Sequence, residues 1–572
     1  MNKSWPAISL AQATALLTAP GAMFEMDEID IRGVKTRVWK NVPPTLRHVF
    51  EIGRSHGDKT FLVYENDRAS FESFARAALA IAAELQQKGV QRGDRVAIAM
   101  RNLPEWVAAF FGAALIGAIA TPLNAWWTEP ELVHGLSDSG AKALICDPER
   151  LQRIESRRAD LPALEQIYVS RWTGALPEGV IALETITGTV NAWGRLPVGD
   201  LPDVFPTPED DATLFYTSGT TGTAKGVLGT HRGIVSTIWA QLFSQARTFV
   251  RRGETPPVRD ANSPQLAGLI SVPLFHTTGC KAYMAPALFA GSKLVFTRKW
   301  DAEDAMRLIE REKITTAGGV PTIALQLLEH PSRADYDLSS LAIMGYGGAP
   351  APKDLVGEIV HILPGCVAAC GWGMTETSAT FTNHGGEDYA NRPDSAGPPV
   401  AVCDLQIRGE DGGLLPVGES GELWVQGPNV AKGYWRQPEA TAATFVDGWL
   451  RTGDLARVDE EGFLYIVGRA KDMIIRGGEN ILCPEVERAL MDHPAVMDAG
   501  VVPIPHPTLG EEPGAIVALH AGQSAGEDEL KTFVRERLAG FKVPVRILFH
   551  DGVLPRNPAG KLQKRELAKM FA

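Results

Sequence analysis

Between Thr217 and Gly226 the chain reads TSGTTGTAKG, ten positions holding three glycines, four threonines, a serine and a lysine. Glycine lets the backbone turn tightly and approach an anion, while hydroxyls, free N–H groups and an ammonium can surround a polyphosphate. Composition alone would suit a mobile Gly/Ser/Thr linker equally well. The setting argues otherwise. An apolar, strand-like run from Ala212 to Tyr216 enters the segment and a helix-like segment from about His231 follows it. The Walker phosphate loop requires Gly-Lys-Ser/Thr after its four-residue spacer. Here Lys225 is preceded by Ala224 and followed by Gly226, so that pattern fails.

A chain of 572 residues is too long for one simple core, and two or more domains are expected. The formal net charge of −12 argues against a general nucleic-acid or anionic-membrane surface, though not against a local basic pocket. The six cysteines are Cys146, Cys280, Cys366, Cys370, Cys403 and Cys483, of which only Cys366 and Cys370 are close. They read as reduced thiols of a cytoplasmic protein. Lys3 followed by Glu25, Asp27, Glu28 and Asp30 does not form a secretory leader. The longest apolar run, Val107 to Leu123, is shorter than the roughly 20 residues of a spanning helix and reads as a buried helix followed by a strand. Peripheral contact with a membrane and a homodimer both stay open.

Apolar residues at helical spacing run from Phe71 to Lys88, with Gly89 as the stop. Short apolar strands follow at Val96–Met100 and Ala143–Cys146. The alternation continues through Lys293–Phe296, Asp301–Glu312 and Leu341–Gly345. That pattern implies an α/β fold with largely parallel sheets covered on both faces. Arg251 to Pro264 has no apolar period and reads as a surface loop. From about Ala401 the texture changes to short alternating strands, such as Gly421–Gln426, and a β-rich subdomain is expected. Beyond Gly468, strands near Ala499–Val502 and Ala515–Leu519 and a helix near Glu527–Leu538 suit a small α+β domain. The expected division is 1–468 and 469–572.

Five further motifs follow in order: PLFHTTG (Pro273–Gly279), GYGGAP (Gly345–Pro350), GWGMTET (Gly371–Thr377), RTGDLARVDEEGFLYIVGRAKDMII (Arg451–Ile475) and PRNPAGKLQK (Pro555–Lys564). With the Gly/Thr loop, they resemble in type and order the motifs of the adenylate-forming superfamily. That superfamily contains acyl-CoA synthetases, aryl-CoA ligases, luciferases and the adenylation domains of peptide synthetases. The resemblance runs from about Leu46 to the end. It implies a large N-terminal adenylation domain of layered α/β sheets with a β-rich subdomain, and a small mobile α+β C-terminal domain.

The resemblance also implies the chemistry. A carboxylate is a poor electrophile; its oxygen attacks the α-phosphorus of ATP to give an acyl adenylate and pyrophosphate, and a thiol then displaces AMP. Neither half-reaction needs a protein nucleophile, so positioning and charge stabilisation dominate. By resemblance, Thr217, Ser218, Gly219, Thr220, Thr221, Gly222 and Lys225 hold the β- and γ-phosphates. Gly347, Gly348 and Ala349 form an adenine wall, and Gly371, Trp372, Gly373, Met374 and Thr375 complete the nucleotide site, with Thr375 at the α-phosphate. Trp372 offers a flat face to adenine or the acyl chain, or is plain core. Glu376 is implied as the Mg²⁺ ligand, a hard cation that takes its other oxygens from phosphate and water. Asp454 is implied to accept the ribose hydroxyls, and Arg469 to reach ribose or phosphate. Lys471 stands at the hinge, where many members carry Asp, and Gly478 lines the pantetheine channel. Lys561 is implied to bridge the carboxylate and the α-phosphate. His276 either gates the route between acid and thiol or acts as a general base, with gating favoured.

Peptide-synthetase domains place an Asp after the phosphate loop to hold an α-ammonium; the stretch Pro273–Thr278 has no acid. No carrier motif follows Lys561, so free coenzyme A is the expected acceptor. The final Met-Phe-Ala is no peroxisomal address, which disfavours a luciferase-like enzyme. Trp239, Gly319, Gly345, Tyr346 and Ser378 are candidate acyl-pocket positions by analogy of place. The expected activity is an ATP- and Mg²⁺-dependent carboxylic acid–CoA ligase acting on a medium- or long-chain fatty acid. An aryl or steroid-derived acid is the alternative. An ADP-releasing phosphotransferase or a catalytically dead nucleotide-binding protein are the other classes to exclude.

Overall fold

The computed structural model describes residues 5–217, 224–260, 263–347, 354–477, 479–557 and 560–571. Among them, two eight-stranded sheets, a five-stranded antiparallel sheet and a C-terminal five-stranded sheet carry the architecture. The fold is α/β, with layered sheets in the large N-terminal part and a smaller α+β unit at the C-terminus.

The first eight-stranded sheet runs in the order Gly433–Tyr434, Lys225–Thr230, Asp211–Thr217, Ile119–Pro122, Arg95–Ala99, Ala143–Cys146, Gln166–Val169, Val180–Ala182. From Asp211–Thr217 onward the pairing is parallel, and only the first three strands pair antiparallel. The second sheet is parallel through Val367–Gly371, Ile343–Gly347, Thr316–Gly319, Ala267–Ile270, Lys293–Phe296 and Thr60–Tyr64. One core cluster joins both sheets: Val96, Ile98 and Phe215 from the first, Phe61, Ile270 and Phe296 from the second. The helices Phe71–Gln87 and Pro104–Leu115 fill the space between them.

Every residue of Pro104–Leu115 is buried, which explains the long apolar run in the sequence. Pro104 supplies a preset φ at the first turn, where its missing N–H is not needed. Each large apolar side chain buried there contributes about 1.5–3 kcal/mol. Gly89 ends the preceding helix in the left-handed region, at φ +81°. No helix among the described residues is long and apolar enough to cross a membrane.

The Gly/Thr loop departs from the expected order of strand, loop and helix. A strand, Lys225–Thr230, stands between the loop and the helix His231–Arg251, and it pairs antiparallel with Asp211–Thr217. The last paired residues are Thr217 and Lys225, so the strands flanking the loop form a hairpin, and a strand instead of a helix N-terminus follows it. The intervening Ser218, Gly219, Thr220, Thr221 and Gly222 lie outside the described residues, as do Gly348, Ala349 and Gly478.

The five-stranded antiparallel sheet contains Asp404–Arg408, Gly421–Gln426, Trp449–Val458, Leu464–Arg469 and Phe445–Val446. A 3₁₀ turn, Ala470–Asp472, leads from it to Met473–Arg476, the first strand of the C-terminal sheet. That sheet has its own core, with Ile474, Val486, Val501, Val517, Val534 and Ile547 at its centre.

In the second sheet Gly318 pairs with Gly345, and a Cβ on Gly318 would stand 1.6 Å from the Gly345 carbonyl oxygen. Backbone cannot yield there as a flexible side chain could. Gly318→Ala is expected to lower stability by more than about 2 kcal/mol. A chemical-denaturation midpoint equal to that of the parent would contradict this reading of the strand pair.

Candidate active site

Three parallel strands of the second sheet, Thr316–Gly319, Ile343–Gly347 and Val367–Gly371, end side by side, and ligands of such sheets bind beyond the carboxyl ends of strands. The turn after Val367–Gly371 is tightly fixed. A Cβ on Gly373 would fall 1.4 Å from the Ala379 carbonyl oxygen, so the segment closes on itself. The Met374 N–H donates to Thr377 Oγ1 at 2.9 Å, and Ser378 and Ala379 adopt φ of +54° and +89°. Asn429, buried, donates its side-chain amide to the carbonyls of Thr377 and Thr380, both at 3.0 Å. Thr375 and Glu376 are thereby held on a short 3₁₀ turn.

Glu376 is 6% exposed, and its Oε1 accepts from the Tyr434 hydroxyl at 2.9 Å. Burial raises its pKa, opposed by the Tyr434 hydrogen bond and the charges of Lys561 and Arg469. A carboxylate in this state is stabilised by any cation brought to it. Tyr434 also offers its ring to Lys225, whose Nζ stands 5.1 Å from the ring centre. One aromatic residue thus connects the base of the Gly/Thr hairpin to the acid of the GWGMTET turn.

Asp454 and Arg469 face each other across adjacent strands of the antiparallel sheet, which is why two distant motifs meet. Arg469 Nε lies 2.8 Å from Asp454 Oδ1, and the Trp372 indole N–H donates to Oδ2 at 2.8 Å. Asp454 is 3% exposed, yet Oδ1 makes no well-aligned hydrogen bond among the described residues. Arg469 neutralises Oδ1 without a directional hydrogen bond, so this oxygen keeps the capacity to accept one.

The C-terminal unit enters the same space. A Cβ on Gly560 would stand 2.4 Å from Val320, just past the end of Thr316–Gly319, so the turn carrying Lys561 lies directly on the larger domain. Burial lowers the Lys561 pKa, Arg469 and Lys471 lower it further, and Asp454 and Glu376 oppose them. The Lys471 pKa is also lowered, by the partial loss of water around its ammonium and by Arg469. Three cations therefore converge on two carboxylates, and the excess positive charge suits a polyanion. His276 adjoins them. Its Nδ1 accepts from the Thr278 N–H at 3.3 Å, and burial, with Lys561 nearby, brings its pKa down to about 4.

The structure thus brings Glu376, Asp454, Arg469, Lys471, Lys561 and His276 together, with Trp372 and Lys225 linked to them through Asp454 and Tyr434. Gly347 and Gly371 are register partners at the strand ends beside them. The acyl-pocket candidates are more dispersed. A Cβ on Gly345 would lie 3.8 Å from the Tyr283 hydroxyl, and one on Gly319 would lie 3.1 Å from Ser271 Oγ. Tyr346, by strand alternation, points to the opposite face from Gly345 and packs against Tyr389 in a separate core cluster. Trp239 sits edge-on to Phe289 at 5.1 Å inside the main core. Ser378 is buried beside Gly233, whose Cβ would stand 2.8 Å from its Oγ.

Sequence reasoning missed several residues. Tyr434, within the segment GPNVAKGYW, and Asn429 gave no signal beyond proximity to a Gly-rich turn. The flat face of Trp372 is legible in its residue type, but the hydrogen bond from its indole N–H to Asp454 is not. Lys281 is fully buried against the Phe215 ring, 4.8 Å away, and burial brings its pKa down to about 8.

Comparison with known proteins agrees with this geometry. The sequence profile of the AMP-binding enzyme family matches residues 49–435, and that of the AMP-binding enzyme C-terminal domain matches residues 485–561. A feruloyl-CoA synthase from Amycolatopsis is 35% identical over 502 residues, 88% of this chain and 94% of the relative. A long-chain-fatty-acid–CoA ligase of Bacillus subtilis is 33% identical over 529 residues, 89% of this chain and 91% of the relative. The solved o-succinylbenzoate-CoA synthetase of Bacillus subtilis, in complex with its acyl-adenylate intermediate, superposes with a TM-score of 0.74 at 30% identity. It covers 92% of this chain and 98% of its own.

The His276 environment yields a pH test. A folded pKa of about 4 against an ordinary value near 6.5 means that the unfolded chain binds the proton first as pH falls. The contribution of His276 to stability is therefore present above pH 6.5 and lost as pH drops from there towards 4. In an NMR titration the His276 ring signals should stay unchanged between pH 8 and about 5.5; a midpoint near 6.5 would contradict the assigned burial.

Proposed function

The chain belongs to the AMP-binding enzyme family, and from that premise we propose which acid it activates and which residues carry the reaction. It is an AMP-forming acid–thiol ligase, using ATP, Mg²⁺ and coenzyme A and passing through an acyl adenylate. The observation that carries the residue assignments is the convergence of Lys561, Arg469 and Lys471 on the buried Asp454 and Glu376.

In the proposed adenylation, Asp454 accepts the ribose hydroxyls, the free accepting capacity of its Oδ1 supporting the fit to a donor. Arg469 and Trp372 hold that carboxylate in place. A magnesium ion would sit on Glu376, whose burial favours a bound cation, with phosphate oxygens and water completing the shell. When bound, the ion neutralises phosphate charge. Lys225 and Thr217 anchor the hairpin whose tip holds the β- and γ-phosphates. The Lys561 ammonium lies between the acid's carboxylate and the α-phosphate, two anions that otherwise repel. At about 4 Å and an effective dielectric near 20, each such contact is on the order of 4 kcal/mol before desolvation. The carboxylate oxygen bonds to the α-phosphorus as pyrophosphate departs.

In the second half-reaction the thiol sulfur attacks the acyl carbonyl and AMP leaves. His276, with a pKa of about 4, is too weak a base for an ordinary thiol, so gating or orienting the substrates is its assigned role. The division near residues 468 and 469 and a pivot at Lys471 are supported by the 3₁₀ turn Ala470–Asp472, which buries none of its residues. The cytoplasm is the proposed place of action.

The proposed acid is apolar, with a medium- or long-chain fatty acid first. The Bacillus long-chain-fatty-acid–CoA ligase supports this choice. The feruloyl and o-succinylbenzoate relatives support a ring-bearing acid as the second reading. One feature of the site favours that second reading: the Tyr283 hydroxyl beside Gly345 makes no hydrogen bond among the described residues and could donate to an oxygen on the substrate.

A panel of fatty and aryl acids, assayed for AMP release with and without coenzyme A, tests the function. Release of ADP in place of AMP would refute it. Lys561→Ala should slow adenylate formation about 10²–10³-fold while leaving thioester formation from supplied acyl-AMP largely intact. Equal loss of both halves would remove the role given to Lys561. Trp372→Phe deletes a hydrogen bond to a charged group, worth about 1.5–3 kcal/mol. It should raise the KM for ATP about tenfold, and an unchanged KM would contradict the link through Asp454.

A further inference from the structure

Lys561 sits on a small hairpin within the C-terminal unit. The Asn557 N–H donates to the Lys561 carbonyl at 2.8 Å, and the Lys561 N–H donates to Asn557 Oδ1 at 2.9 Å. The Gly560 N–H donates to the Asn557 carbonyl at 2.8 Å, with Gly560 at φ +76°, and Arg556 and Leu562 form an isolated antiparallel bridge. These contacts shape the turn but leave open how it is fixed to the domain beneath it.

Two buried carboxylates fix it, one at each end. On the incoming side, Arg556 Nη2 contacts both oxygens of Asp498 at 2.8 and 2.7 Å, and its Nη1 donates to the Gly560 carbonyl at 2.8 Å. The guanidinium therefore clamps the residue before Lys561 to the strand Val496–His506. On the outgoing side, Lys564 Nζ lies 2.9 Å from Glu487 Oε1, which also accepts the Val501 N–H at 2.9 Å. Asp498 and Glu487 are 4% and 3% exposed. Charges so enclosed persist when paired, and removing one partner leaves the other exposed to the full desolvation penalty. Neither pair reaches the nucleotide-site carboxylates, so neither is explained by the chemistry already assigned.

We propose that Arg556–Asp498 and Lys564–Glu487 are positioning pairs that hold the Lys561 hairpin in the geometry adenylation requires. The claim rests on the ligase reading above and deepens it. Lys561 acts by standing between two anions, and a displacement of about 1 Å at such a site can lower a rate by about 10²-fold. Arg556 spends its two terminal nitrogens on two separate acceptors, Nη2 on Asp498 and Nη1 on the Gly560 carbonyl, a planar division that an ammonium in its place cannot reproduce.

The test uses the full-length enzyme with Arg556→Ala, Arg556→Lys and Lys564→Met. Acid-dependent pyrophosphate exchange should fall about 100-fold in kcat for Arg556→Ala, with the KM for ATP within about twofold of the parent. Arg556→Lys should recover part of that loss, and Lys564→Met should fall about tenfold. Thioester formation from supplied acyl-AMP should be retained. If both half-reactions fall together with the melting temperature, the pairs are merely structural and the proposal is overturned; unchanged exchange kinetics overturn it equally. Hydrogen exchange separates this claim from the ligase reading. Arg556→Ala must open the Asn557 and Lys561 amides while the strand Val496–His506 stays protected. Unaltered amide protection at Asn557 and Lys561 would sink the positioning claim, whatever the enzyme activates. A parent enzyme without pyrophosphate exchange would sink only the ligase reading.

Discussion

Two carboxylates withdrawn from water, Asp454 and Glu376, govern the arrangement of this protein. Removing a charge from solvent is unfavourable by several kcal/mol unless partners replace the lost hydration. Asp454 meets that requirement with Arg469 and the Trp372 indole, and Glu376 with the Tyr434 hydroxyl and the field of nearby cations. Each partner belongs to a different layer of the fold. Arg469 comes from the antiparallel sheet, Trp372 from the end of a parallel strand, Tyr434 from the edge of the first sheet. The acids therefore bind three sheets to one point.

Lys561 comes to that point from the C-terminal unit. Its ammonium lies among like charges, Arg469 and Lys471, as well as opposite ones, and burial disfavours its charged form. Such a lysine is most stable when further negative charge arrives, which is what a triphosphate and a carboxylate bring. The contact of Gly560 with Val320 fixes how closely the two parts approach, because no side chain fits between them. On the role proposed for Lys561, its charge serves one half-reaction only, and carrying it on a separate unit would suit a ligase that joins acid to nucleotide and then to thiol.

Much of this was legible in the sequence. The strands Ala143–Cys146 and Lys293–Phe296 occur where apolar runs between turn signals put them, and the helix from Phe71 ends beside Gly89. The motifs named Glu376, Asp454, Arg469 and Lys561, and these converge in space. The strand Lys225–Thr230 was not legible, because its glycines and lysine suppress the apolar alternation that marks a strand, and only pairing with Asp211–Thr217 makes it one. Tyr346 is a pocket candidate by analogy of place, and the packing of its ring against Tyr389, on the face of Ile343–Gly347 opposite Gly345, is not encoded by any local pattern. The partners Tyr434, Asn429 and Trp372 act through contacts between residues tens of positions apart, which no local pattern encodes.

On the proposed mechanism, held charges make an inert carboxylate reactive by joining it to AMP before any thiol is present. Isotope exchange between pyrophosphate and ATP, measured without coenzyme A across fatty and aryl acids, addresses it most directly. Exchange should appear only when a suitable acid is added and should require Mg²⁺. Exchange that never depends on an acid, or is absent with every acid tried, would contradict it.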